Sequence, residues 1–242
     1  MLREPAHTLL TNGRSFDKEH DYASALACYQ QCNALESNIQ ALTLAGLAQA
    51  QLKQETATSF KEALDITPAT WEDWYDHGRI HLLQRRLAEA VTCFKSSIEL
   101  DATRAQVWNS LGEAVEGQGN MTEALEHFSK AMALDTTTQA SHLAKARLLI
   151  KLNRQEEAEK LVDSMLEAEP NSLGAKLCKA QFLLARHQVL DSMALIDACL
   201  EGKYALGETW LLKGRALQLL KRPEEAYQAF KQSLGYDHFN SQ

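Results

Sequence analysis

One spacing constrains this chain more than any other property: chemically matched residues return every 34 positions. Trp74 and Trp108 stand one such step apart, and Trp210 lies three steps further on. Gly78, Gly112 and Gly214 follow these tryptophans by four residues. Phe60, Phe94, Phe128 and Phe230 keep the same phase, with Val162 and Ile196 filling the two intervening steps. Ala90, Ala124, Ala158 and Ala226 each precede the large residue by four, and Pro68 and Pro170 are three steps apart. A period of this size predicts small units that cannot each bury their own apolar face, so that neighbours stack into one continuous core.

Within a unit the apolar spacing is helical. Val91, Phe94, Ile98 and Leu100 recur at short helical steps and predict one apolar face. Gly112 falls inside a helix, where glycine costs about 1 kcal/mol relative to alanine; a close approach by a partner helix would require it. Gly119-Asn120 and Lys221-Arg222-Pro223 supply tight turns, with Pro223 at a permitted first-turn position. The chain has 242 residues and is 45% hydrophobic, enough for a sizeable core, and only 4 prolines interrupt it.

The fullest unit carries Trp108, Leu111, Gly112, Ala124, Phe128 and Ala131. This pattern resembles the tetratricopeptide repeat family, in which Trp-x2-Leu-Gly-x2-Tyr is followed by Ala-x3-Phe and then Pro. The resemblance implies an all-α fold, an α-solenoid of about seven helix-turn-helix repeats wound as a right-handed superhelix, in one domain spanning residues 1–242. Units start near residues 6, 37, 71, 105, 139, 173 and 207. Units one and two fit the pattern less fully, Gln40 standing where Trp is expected, and His142 and Lys176 take that place in units five and six. The resemblance also implies that the first helix of each pair lines a concave surface that binds a protein or peptide.

Projected onto that surface, the lattice places Leu143, Ile150, Leu177, Leu184 and Leu211 on successive later units, an apolar stripe of the kind that marks a binding face. Arg79, Arg147 and Arg215 share one lattice position, alternating with Glu113 and Gln181. A guanidinium can hold a carboxylate through two hydrogen bonds, so these arginines are candidates for fixing a mixed apolar and acidic segment. The alternative is that they bridge to neighbouring Glu side chains within the protein. The Lys, Asn and Arg clamp with which some tetratricopeptide co-chaperones hold acidic chaperone tails is missing: the matching positions from the third unit are Tyr75, Ser110, Ala140 and Ala144.

Other chemistry finds little footing. His77 and His81 are four apart on one helix, as two zinc ligands could be, but they occupy positions that pack between helices and lack the Glu of a metalloprotease helix. Cys28 and Cys32 share that spacing without a third ligand; Cys32 and Cys199 stand where Ala131 does, as small buried hydrophobes. Gly112, Gly117 and Gly119 do not follow a strand, so they form no phosphate loop. The sequence predicts neither an enzyme nor a bound cofactor or metal.

A net charge of −7 and the absence of any Lys/Arg-rich run weigh against nucleic acid. No run of 18 apolar residues predicts a membrane span, and the N-terminus lacks a signal peptide's apolar core. Five cysteines, an odd number without a paired framework, suit a reducing compartment, so a cytoplasmic chain is expected. The expected function is that of an adaptor or scaffold. The alternatives are a self-assembling part of a larger complex, or the repeat domain of a longer protein. Self-assembly would join copies through apolar surface at Leu217, Leu220 and Phe230 of an uncapped last unit.

Overall fold

A computed structural model describes residues 4–52, 54–136, 139–201 and 207–239. Among them are fourteen helices: α1 (Glu4–Lys18), α2 (Tyr22–Leu35), α3 (Ile39–Gln51), α4 (Ala57–Asp65), α5 (Trp71–Leu83), α6 (Leu87–Leu100), α7 (Ala105–Gly117), α8 (Met121–Leu134), α9 (Gln139–Lys151), α10 (Gln155–Ala168), α11 (Leu173–Ala185), α12 (Val189–Leu200), α13 (Gly207–Leu219) and α14 (Pro223–Phe239). The chain is all-α, built from helix-turn-helix pairs. Its contacts divide it into two compact units, one up to Asn120 and one from Met121 onward. In the first, α1/α2, α3/α4 and α5/α6 pair; in the second, α9/α10, α11/α12 and α13/α14 do so.

Each turn inside these pairs is closed in one way, apart from that between α3 and α4. The second residue after the first helix adopts a left-handed conformation: His20, Arg85, Asn153, His187 and Lys221, with Gly119 after α7. Its N–H and that of the next residue return to the last turn of the helix, as with Arg85 N to Leu82 O at 3.1 Å and Arg86 N to His81 O at 2.9 Å. This double closure satisfies the terminal carbonyls that an α-helix leaves unpaired. Only one of the six positions is glycine, so the turns are specified by these hydrogen bonds more than by residue type.

Within a pair the helices meet at the lattice glycine. A Cβ on Gly13 would lie 2.5 Å from the ring of Tyr29, one on Gly78 2.5 Å from Phe94, and one on Gly214 2.3 Å from Phe230. In the second unit Ala146 and Ala180 take the glycine position, and the large residue opposite shrinks to Val162 and Ile196, with which they share core clusters. In three pairs a small residue three positions beyond the large one ties the end of the second helix to the start of the first. Ser97 Oγ donates to Trp71 O at 2.8 Å, Ser233 Oγ to Gly207 O at 2.8 Å, and Cys32 Sγ to Ala6 O at 3.3 Å.

Two expectations of register are corrected. In the second repeat Gly46 makes the close approach, to Phe60, with a Cβ position 2.3 Å from the ring. Gly46 is two residues later than the 34-residue lattice places it, so Leu42, which is buried, takes the Trp position in place of Gln40. The displacement is absorbed between α3 and α4, where glycine and aromatic stand 14 apart rather than 16. Leu100, the last residue of α6, is 57% exposed and lies off the apolar face that Phe94 anchors.

Candidate functional site

First helices of successive pairs touch one another within each unit, α3 with α5 and α5 with α7, then α9 with α11 and α11 with α13. The faces they share carry one depression in each unit. In the second unit a groove of about 680 Å³ crosses α9, α11 and α13. Arg147, Ile150, Leu184, Leu211 and Arg215 line it, together with Lys151, Gln181, Glu208, Gln218 and Leu219. Leu211 is 37% exposed and, with Ile150, Leu184 and Leu219, forms the apolar side of the groove.

Five of the eight residues predicted to bind a partner are thus brought together, and three are not. Leu177 is only 1% exposed and belongs to the core with Ala180, Ile196 and Leu212, so it offers a ligand nothing. Leu143 lies down on α11, where a Cβ at Gly174 would come within 2.8 Å of its Cδ1, and is packed against Ala146 and Val162. Arg79 lies in the first unit, outside this groove. Lys151, Ala185, Leu212 and Leu219 line the groove and were missed. Lys151, Ala185 and Leu212 directly follow the projected Ile150, Leu184 and Leu211, and the groove is wide enough to include residues beside the projected ones.

The polar side of the groove is arranged around one carboxylate. Arg147 Nη2 stands 3.3 Å from Glu208 Oε2, and Gln181 Nε2 donates to Glu208 Oε1 at 3.2 Å. Three successive first helices therefore meet at Glu208. Arg215 is exposed and forms no ion pair among the described residues. Of the three lattice arginines, Arg79 pairs with Asp76 and Arg147 with Glu208 inside the protein, and Arg215 does not pair among the described residues.

The first unit's depression, also about 680 Å³, is polar. Arg14, Glu36, Glu72, Asp73, Asp76 and Arg79 border it, with Trp71 and Tyr75. Asp76 is buried, with Arg79 Nη1 3.1 Å from its Oδ1. Burial raises its carboxyl to about 6, against the opposing pull of Arg79. His77 Nε2 donates to Ala63 O at 3.0 Å, and burial lowers the pKa of both His77 and His81, which favours neutral packing groups. No set of three His, Cys, Asp or Glu side chains among the described residues is placed to hold a metal. Nor is any helix there long and apolar enough to cross a membrane.

Paired helices whose first members share a grooved face define a helical-repeat protein. Three tetratricopeptide repeat models match, over residues 75–137, 117–181 and 207–238. The chain belongs to the tetratricopeptide repeat family, whose domains generally mediate protein–protein interactions and are typically non-catalytic. A tetratricopeptide repeat protein from Parabacteroides merdae is similar in structure, with a TM-score of 0.73 at 16% identity over 97% of this chain and 94% of that one. A chain of the APC/C hetero-tetramer Cut9–Hcn1 gives 0.65 at 16% identity, over 96% of this chain and 43% of that one. YrrB, a TPR protein with an unusual peptide-binding site, gives 0.50 at 18% identity, over 71% and 90%. At such identities the likeness is one of fold. No curated protein matches the chain by sequence.

The buried Asp76 carboxyl has a pH signature. Its folded pKa, near 6, lies above the ordinary carboxylate value of 3.8, so the folded state binds the extra proton between these limits. Stability from this group therefore rises as pH falls from 7 towards 4, by about 1 kcal/mol between pH 7 and 5. Urea unfolding of the wild type and Asp76→Asn at both pH values checks this. The wild-type advantage over the variant is larger at pH 5, and an unchanged difference would contradict the burial argument.

Proposed function

We propose that the chain is an adaptor that holds a segment of a partner protein in the groove of α9, α11 and α13. The observation that carries this reading is the exposure of Leu211 beside Ile150, Leu184 and Leu219, on a surface that also holds an unpaired arginine. Leucines kept at a concave surface by three rigid helices are available to a ligand without rearrangement, which lowers the entropic cost of binding. The partner-binding residues are Ile150, Leu184, Leu211 and Arg215, with Arg147 positioned behind them. The peptide-binding site of YrrB and the assembly that contains Cut9 and Hcn1 support the same reading by analogy of fold.

A second reading, self-association, rests on α14. Leu217, expected at an open end, is buried, and Leu220 and Phe230 are half-buried. Tyr227 and Leu234 instead stand 65% and 63% exposed, whereas their lattice equivalents Met193 and Leu200 are packed into a core cluster. Light scattering across a hundredfold concentration range decides it. Self-association predicts a mass that rises with concentration and falls back for Tyr227→Glu with Leu234→Glu; a constant monomer mass removes this reading.

Leu184→Glu with Leu211→Glu tests the groove, since Leu211 is exposed and Leu184, half-buried against the core, borders the same groove. Affinity capture followed by mass spectrometry is expected to recover partners with the wild type that the double variant loses, a fall of tenfold or more in binding, while circular dichroism is unchanged. A folded variant that recovers the same proteins would remove the groove from the account.

A further inference from the structure

The groove is a local exception to the charge of the chain. Arg147, Lys151 and Arg215 line it against a single acid, Glu208, in a protein whose net charge is −7. Two of its polar groups are already engaged with that acid, Arg147 at 3.3 Å and Gln181 at 3.2 Å. Arg215, on the next turn of the same helix as Leu211, has no acid of its own among the described residues.

Resting on the groove reading above, we propose that the ligand is an acidic, aliphatic protein segment. It is held by one carboxylate on Arg215, and Glu208 sets this specificity by keeping Arg147 and Gln181 occupied. Leucines on either side of the cation select aliphatic side chains, while a bidentate guanidinium selects a carboxylate between them. A basic segment meets the unpaired Arg215, while Glu208, already engaged by Arg147 and Gln181, is not free to receive it, so such a segment is disfavoured. Adjacent helices stand about 8–10 Å apart, so a segment crossing α9, α11 and α13 covers about 20 Å, or about six residues if extended. Glu208 is a specificity-determining residue: its side chain competes for the guanidinium that a second ligand carboxylate would need. Replacing it with a neutral isostere opens that second place.

A phage-displayed library of random dodecapeptides, selected on the whole chain, tests this with the wild type, Glu208→Gln, Arg215→Gln and Leu211→Glu. The expected wild-type selection is enriched in at least two aliphatic residues at fixed spacing from one Asp or Glu. The resynthesised peptide loses tenfold or more in affinity when its acid becomes the amide, and this preference vanishes with Arg215→Gln. Glu208→Gln is expected to enrich a second acid and to bind the two-acid peptide at least fivefold more tightly than the wild type does. An aliphatic selection that is lost with Leu211→Glu but indifferent to acids, or unchanged by Glu208→Gln, overturns this inference and leaves the groove standing. A library that yields no peptide sensitive to Leu211→Glu overturns both.

Discussion

Where Tyr29, Phe60, Phe94 and Phe230 cross to the first helix of their own pair, each ring fills the space that a Cβ of Gly13, Gly46, Gly78 or Gly214 would need. Glycine inside a helix costs about 1 kcal/mol. Burying an aromatic side chain removes 150–250 Å² from water, which at about 25 cal/mol per Å² contributes about 4–6 kcal/mol. The exchange favours the ring by a wide margin, so the glycine is retained. Ala146 with Val162 and Ala180 with Ile196 reach the same helix separation from the other direction, trading ring volume for a methyl. The hydrogen bonds of Cys32, Ser97 and Ser233 then fasten the far ends of α1/α2, α5/α6 and α13/α14.

Function inherits its geometry from that contact. A pair locked by its second helix leaves the opposite face of the first helix free, and successive first helices set those faces side by side. Leu211 is exposed because Leu212, its neighbour in sequence, is the one turned into the core. The groove is therefore made of helix surface, with its lining groups placed by the same packing that stabilises the fold. The polar groups follow the same logic: Arg147, Gln181 and Glu208 come from three helices and meet only because those helices are in register.

Much of this was legible in the residues alone. The 34-residue return of Trp, Gly and Phe encodes the close approach directly, and it led correctly to helix pairs and to Cys32 and Cys199 as core residues; five of the eight residues it singled out lie along one groove. Its failures have physical causes. Gly46 is displaced by two residues because the turn between α3 and α4 absorbs length without disturbing the contact, and a strict period cannot see such compensation. Leu177 occupies the same lattice position as Leu211, yet α13 covers the one and no described helix covers the other, a difference that depends on neighbours rather than on period. The pairing of Arg147 with Glu208 spans 61 residues and three intervening helices, and no local spacing announces it.

The contact between ring and glycine is open to a direct measurement, a double-mutant cycle of Gly78→Ala and Phe94→Leu in urea unfolding. Overpacking against Phe94 predicts that Gly78→Ala alone destabilises the chain by about 1–3 kcal/mol. In the Phe94→Leu background, where the ring edge is gone, the same change is expected to be neutral or to stabilise by up to about 1 kcal/mol, as alanine does in an unobstructed helix. A coupling of about 1 kcal/mol or more supports the account. Effects that add within about 0.5 kcal/mol would show that the two residues act independently, and would contradict it.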